Sequence, residues 1–329
     1  MSLKSTNNCR FCSLISQANK EDPIGSGLAV EQYLIIEAPQ PWSVDIWIEP
    51  KQMPQGVLDA LNFVWENNGK IRQLAIAPDR EYSIPGYKHV FYYRKPAGLF
   101  AEYEKQEFIV PDEEIGALTV ALIKEPDKLS NFQRYRQKTS HIRELLICTH
   151  GNVDIACGKF GYPIYKKLRS EYAIKSSANL RVWRCSHFGG HQFAPTLIDL
   201  PQGRYWGHLQ PEIIDLLVWN NGSVKELYPY YRGWGGLSKF EQIVEREIWM
   251  QEGWSWLKYS KSGRVLGCDE INQEWADVRI DFVTLDGSDC SYEAKVEVSG
   301  HVITALDSGK NEPLEKVKQY HTSHLVKIY

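Results

Sequence analysis

The sequence predicts an α/β (α+β) protein: two related halves in tandem, followed by a smaller helix-and-β-meander module. Three observations carry this expectation. The order strand, helix, strand, strand, strand, helix runs between residues 32 and 124 and returns between residues 143 and 222. A polar stretch over 125–140, rich in Lys, Arg and Gln, separates the two runs as a linker or an exposed helix. Beyond about residue 226 the pattern changes to one amphipathic helix and strands of alternating polarity. A chain of 329 residues has room for about two domains of ~150 residues, or for three small ones.

In the first half, Gln-Tyr-Leu-Ile-Ile-Glu at 32–37 is a short apolar run stopped by Pro39 and Pro41, which reads as a buried strand. Val57, Leu58, Leu61, Val64 and Trp65 then recur at helical spacing, and Asn67, Asn68 and Gly69 close that helix. Residues 71–77, 89–94 and 107–110 read as strands. Pro111 and the acidic turn Asp112, Glu113, Glu114 open a helix to about Lys124, because carboxylates are favoured at a helix N-terminus.

In the second half, 143–148 is a strand that ends on a cysteine. Pro163 is placed to start a helix that turns Ile164, Tyr165 and Leu168 inward. Residues 180–185 form the next strand, and 194–200 and 204–209 pair through a turn at Pro201, Gln202 and Gly203. Pro211 opens a helix carrying Ile213, Ile214, Leu217 and Trp219, closed by Asn220, Asn221 and Gly222. This is a thioredoxin-like order of elements, met twice. The expected domains are 1–130, a degenerate thioredoxin-like domain; 131–225, a thioredoxin-like domain that kept its ligands; and 226–329, a C-terminal α+β module. In the last, Ser238 and Glu241 make a capping box before Phe240, Ile243, Val244 and Ile248. Val278, Ile280 and Phe282, then Tyr292, Ala294, Val296 and Val298, alternate as strands around a turn at 286–289.

Bulk properties narrow the function. The net charge of -3 is made of well-mixed signs, with no basic stripe for phosphates, so nucleic-acid binding is not expected. The first residues lack the apolar core of a signal peptide and no run approaches the ~18 apolar residues of a membrane span, so the expected location is cytoplasmic. Seven cysteines, an odd number over a mid-sized chain, argue for reduced thiols, some of them ligands, over a disulfide framework.

Four of these soft donors stand close together: Cys148 and Cys157, then His187 and His191. One at a time, a cysteine is usually a small hydrophobe and a histidine a satisfied polar group. Together, two thiols and two imidazoles at strand ends of one βα unit form a complete metal-ligand set. Zinc takes these donors, but zinc-finger cysteines usually stand two to four residues apart, whereas eight separate Cys148 from Cys157. A 2Fe-2S centre of Rieske type uses the same set, with imidazoles replacing two thiolates on one iron. In Ser186-His-Phe-Gly-Gly-His191 two internal glycines disfavour a helix by ~1 kcal/mol each, so a tight loop is expected. There Gly189 and Gly190 allow backbone N–H groups to approach anionic sulfides.

His150 and Cys185 are read as neighbours of the ligands, and Asp154 as an acceptor able to orient an imidazole. Cys9 and Cys12 have the spacing of a redox dithiol. They lack the strand-to-helix context that lowers a thiol pKa, so an incidental or structural role is expected, with thiol-disulfide exchange as the alternative. Asp45 with Glu49, and Asp277 with Asp281, are carboxylate pairs that any charged chain offers.

Cys-Thr-His-Gly-Asn-Val-Asp with Cys157-Gly158, Gly161-Tyr-Pro163 and Leu168-Arg169, then Ser186-His-Phe-Gly-Gly-His191-Gln-Phe-Ala-Pro195 and Leu200-Pro-Gln-Gly203-Arg-Tyr-Trp-Gly207, resembles the sucrase/ferredoxin-like family. Cys12-Ser13, Pro41-Trp42 and Tyr231-Arg-Gly233 extend the resemblance over about residues 9–236. Ala156 and Gln192 depart from the pattern without removing a donor. The resemblance implies a thioredoxin-like ferredoxin domain holding a 2Fe-2S cluster on Cys148, Cys157, His187 and His191. It implies an electron carrier with a donor and an acceptor protein as partners. No glycosidase-like carboxylate pair supports the "sucrase" half of the name.

Imidazole ligands carry ionisable N–H groups, so reduction should be coupled to protonation. The midpoint potential should fall by ~59 mV per pH unit above the oxidised-state imidazole pKa, the one-electron slope. A potential flat from neutral to strongly alkaline pH in protein-film voltammetry would exclude imidazole ligation.

Overall fold

A computed structural model of the chain describes residues 10–175, 179–309 and 313–328. After a short helix, α1 (Cys12–Ala18), the first half comprises β1 (Gln32–Glu37), α2 (Gln55–Glu66), β2 (Ile71–Ile76), β3 (Tyr87–Arg94), β4 (Glu104–Pro111) and α3 (Ile115–Ile123). The second comprises β5 (Arg143–Cys148), α4 (Ile155–Lys167), β6 (Leu180–Cys185), β7 (Leu197–Leu200), β8 (Arg204–Trp206) and α5 (Ile214–Trp219). With β9 (Tyr231–Trp234) these strands form one mixed sheet in the order β4-β3-β1-β2-β6-β5-β7-β8-β9.

The pairing pattern repeats. β1 is parallel to β2 and antiparallel to β3, and β3 is antiparallel to β4. β5 is likewise parallel to β6 and antiparallel to β7, and β7 is antiparallel to β8. The halves join at β2 and β6 through a single antiparallel register pair, Ile76 with Cys185. So narrow a join lets the sheet fold over. Leu34, Ile36, Val90, Tyr92, Phe108 and Val110 lie under α2 and α3. Their neighbours Tyr33, Ile35, Phe91 and Tyr93 share a second core with β5 and β6. The period-2 alternation of a strand thus serves two cores at once, which is why these runs read as continuously apolar. Tyr33 and Tyr205 hydroxyls meet at 3.0 Å, and the Phe91 and Trp183 rings at 5.9 Å, across this interface.

The C-terminal part comprises α6 (Lys239–Glu252), β10 (Ser260–Cys268), β11 (Trp275–Val283), β12 (Asp289–Ala305) and β13 (Leu314–Ile328), the last four an antiparallel sheet. The Ser238–Glu241 capping box is formed. Ala276, Val278, Ile280 and Phe282 are the buried residues of β11 and continue the second core.

Several elements differ from expectation. Helix α4 does not begin at Pro163: it begins at Ile155, where the Asp154 carboxylate accepts the Ala156 N–H at 2.7 Å, and Pro163 lies inside it. The cap satisfies a donor that would otherwise be orphaned and sets the start of the helix eight residues before the proline. Beyond Lys167 the turns widen to a π-helix over Leu168–Ala173. Trp65 and Trp219, placed on apolar helix faces, are exposed. The stretch at 125–140 contains 3-10 turns over Pro126–Tyr135 that bury Phe132 against the first half. β10 and β13, with few apolar residues, were not anticipated.

Charges are buried where the halves meet. Arg181 donates to both oxygens of Glu107, Nη1 to Oε1 at 3.0 Å and Nη2 to Oε2 at 2.6 Å, and from Nε to Glu144 Oε1 at 3.0 Å. Lys105 Nζ reaches Glu144 at 2.7 Å, His89 Nδ1 lies 3.0 Å from Glu107, and the Trp183 indole donates to Glu144 at 2.7 Å. Both glutamates are 1% exposed. Burial alone would raise the Glu107 carboxyl, but hydrogen bonds from His89 and Arg181 outweigh it and hold it well below its ordinary range.

Arg181→Met should cost about 3–5 kcal/mol in urea unfolding at pH 7, because it strands two buried carboxylates. A depressed folded-state pKa gives stability that is present above the unfolded carboxyl value and is lost as pH falls towards the folded one. The urea midpoint should therefore drop as pH falls below ~4.5, and Glu107→Gln should flatten that part of the profile.

Candidate metal centre

β5 and β6 run parallel and in register, so Cys148 and Cys185 finish side by side and the loops that follow leave the same sheet edge. Asp154 caps α4 and places Cys157 in its first turn. The helix can lie close over β5 because Gly161 has no side chain: a Cβ there would sit 2.0 Å from the Cys148 carbonyl oxygen. The second loop turns through Gly189 and Gly190 at φ 92° and 75°, in the left-handed region that glycine tolerates. Two arginines hold it. Arg72, on β2, donates to the Phe188 carbonyl at 3.2 Å, and Arg232, on β9, donates to the Gly189 carbonyl at 3.0 Å and to the Ser26 carbonyl at 2.8 Å.

These loops bring Cys148, Cys157 and His187 together, with donor atoms all within 4.8 Å of one another. His187 Nδ1 lies 3.8 Å from Cys148 Sγ and 3.7 Å from Cys157 Sγ. Its Nε2 accepts the Gly189 N–H at 3.0 Å, so Nδ1 is the nitrogen turned to the sulfurs. Burial pushes the Cys148 thiol up, but hydrogen bonds from Cys157 and His187 outweigh it and hold it well below the ordinary thiol value. Cys157, which shares its proton with that neighbour and is itself buried, is pushed up.

His191, the fourth predicted donor, sits beside this group with its ring centroid 5.3 Å from that of His187. Its nearer partners form a second group. Nδ1 is 3.6 Å from Cys12 Sγ and 3.4 Å from Asp154 Oδ2, and Nε2 is 3.4 Å from Asp307 Oδ1. The Cys12, Asp154 and His191 donors also lie within 4.8 Å of one another. Burial lowers the His191 pKa and, more strongly, pushes the Cys12 thiol up to about 12.

The other sequence candidates separate clearly. His150 is buried, donates from Nε2 to the Trp42 carbonyl at 3.1 Å and accepts the His187 N–H at 3.3 Å, so both its nitrogens are occupied. Cys185 is buried behind the site and its thiol is pushed up by burial. Gly189 gives its N–H to His187, and Gly190 abuts Arg232, whose guanidinium a Cβ would meet at 2.2 Å. Cys9 lies outside the described residues. Asp307 and Ser308 reach the site without any local signal in the sequence, and Cys12, read there only as one of a dithiol pair and part of the family resemblance, stands 142 residues from its partner Asp154.

Residues 23–233 match the model of the sucrase/ferredoxin-like family, a span of more than half the chain. The chain belongs to the sucrase/ferredoxin-like family. All four sequence-predicted donors fall inside the matched segment, whereas Cys12, Asp307 and Ser308 fall outside it. Among curated proteins, the sucrase/ferredoxin-like chain is similar to Altered inheritance of mitochondria protein 32 of the yeast Meyerozyma guilliermondii. The two are 21% identical over 196 residues, which covers 52% of this chain and 64% of the relative. No solved structure matches.

Gly161→Ala should force α4 away from β5 and lower the melting temperature in a thermal unfolding scan. Gly267→Ala, where the nearest atom to a new Cβ is 3.8 Å away, should leave it unchanged.

Proposed function

We propose that this protein is an electron carrier that holds a 2Fe-2S cluster, with Cys148 and Cys157 on one iron and His187 and His191 on the other. The observation that carries the reading is the convergence of two thiols and two imidazoles at one sheet edge, three of them within 4.8 Å and the fourth ring adjacent. Donor chemistry supports it as well, since one thiol is held low beside an imidazole and the loop approach is glycine-lined. When bound, such a cluster takes up and returns a single electron, at a potential above the roughly -400 mV of all-cysteine plant-type ferredoxins because neutral imidazoles donate less charge. The chain's own contribution is to bury the thiols and to clamp the histidine loop between Arg72 and Arg232.

The fold reading belongs with this. The repeated strand pairing supports two thioredoxin-like domains in tandem, over 1–130 and 131–225, the second a thioredoxin-like ferredoxin. Residues 226–329 are the added module. Electron donor and acceptor proteins are the partners this function requires. No helix among the described residues is long and apolar enough to cross a membrane, and a cytoplasmic location is kept as part of the proposal.

A second reading, a structural zinc site in a scaffold protein, is favoured by one observation: three donors within 4.8 Å of one another are compact enough for a single tetrahedral ion. Thiol-disulfide exchange is not carried forward, because Cys12 is fully buried with its thiol pushed up to about 12, and reactive cysteines need an exposed thiolate.

Anaerobic purification decides between the two. The expected product is coloured, with equal iron and sulfide and an EPR signal on reduction, and both are lost in Cys148→Ser. A colourless protein with zinc and no sulfide would establish the structural site instead.

A further inference from the structure

The tip of the β12–β13 hairpin lies against the histidine loop, although it belongs to the C-terminal module and lies outside the family-matched segment. Ser308 donates its backbone N–H to Asp154 Oδ2 and its hydroxyl to Asp154 Oδ1, both at 2.8 Å, and its Oγ accepts the Cys12 N–H at 3.1 Å. Gly309 pairs with Arg10 as an isolated β-bridge, which ties the tip to the start of the described chain. Asp307 stands 3.4 Å from the outward nitrogen of His191, on a side chain 64% exposed. Ala305 packs with Cys12, Ala156 and Ala194 beneath.

We propose that this tip is a working part of the metal centre, in which Ser308 is the positioning residue for Asp154 and Asp307 is the positioning residue for His191. The proposal rests on the metal reading above. Metal-bound histidines almost always give their second N–H to a carboxylate, a carbonyl or water, which fixes the ring and makes it a stronger donor. Of the two imidazoles, His187 meets a backbone N–H on its far nitrogen, whereas His191 has a carboxylate on each side. With Nδ1 given to a metal, Nε2–H of His191 has Asp307 as its acceptor. Asp154 has two tasks, capping the helix that carries Cys157 and standing beside His191, and the two bonds from Ser308 hold it in position for both. The C-terminal module thereby sets the electron-donating strength of one ligand and the placement of another.

The test compares Asp307→Ala, Asp307→Glu and Ser308→Ala in the full chain, purified anaerobically. All three should keep iron and sulfide. Asp307→Ala should raise the midpoint potential, because a negative charge and an N–H acceptor are lost, and should alter the nitrogen couplings of the bound imidazole in pulsed EPR. Asp307→Glu should restore both. An intact cluster with unchanged potential and couplings in Asp307→Ala overturns the proposal. A colourless protein overturns the metal reading instead, and the clamp is then read without metal: Ser308→Ala should speed amide exchange at Ala156 at least tenfold, and unchanged exchange there overturns the positioning role.

Discussion

Arg181, held between Glu107 and Glu144, is the contact on which the two halves depend. The sheet passes from one half to the other through one register pair, so its continuity alone cannot fix their relative position. Apolar packing between the Tyr33–Tyr93 face and the β5–β6 face is strong but tolerant of sliding. A bidentate guanidinium between two buried carboxylates is not tolerant, because a shift of an ångström or two would leave charges without partners in a low-dielectric interior. The network therefore supplies register where the sheet does not.

That register matters because the candidate metal site is assembled from both halves. The donors belong to the second, yet Arg72 of the first holds the histidine loop, and the Trp42 carbonyl of the first accepts from His150 and from Asn152 Nδ2 at 2.7 Å. The first half has no ligands at its corresponding strand end. Its loop there is used as a wall, with the Trp42 ring edge-on to His150 at 5.6 Å. One copy of a repeated pattern thus carries the candidate ligands and the other shapes their surroundings.

Much of this was legible in the chain. The strands at 32–37, 143–148 and 180–185 were readable to the residue, because buried strands are short apolar runs with clear stops. Cys148 and His187 are legible because each sits at or within two residues of a strand end, and Cys157 because it follows β5 by nine residues, on the segment that wraps back towards a helix. The start of helix α4 is hidden for a physical reason: Pro163 has the look of a first-turn residue, whereas the cap that starts the helix, Asp154, is equally a partner for histidine. Of the surroundings of His191, Asp154 is legible as an acceptor for an imidazole, but Cys12, Asp307 and Ser308 are not. Cys12 and Ser308 are 296 residues apart, and only the folded β12–β13 hairpin brings them together.

That separation gives the molecule a timetable. During synthesis the histidine loop emerges about 120 residues before Ser308 and Cys157 about 150 before it, an interval of roughly 6–30 s at ~5–20 residues per second. The ring of contacts around His191 cannot close until Ser308 has been made and β12 has folded back. For that interval Asp154 and His191 lack their contacts with Ser308 and Asp307, and the last strands supply them.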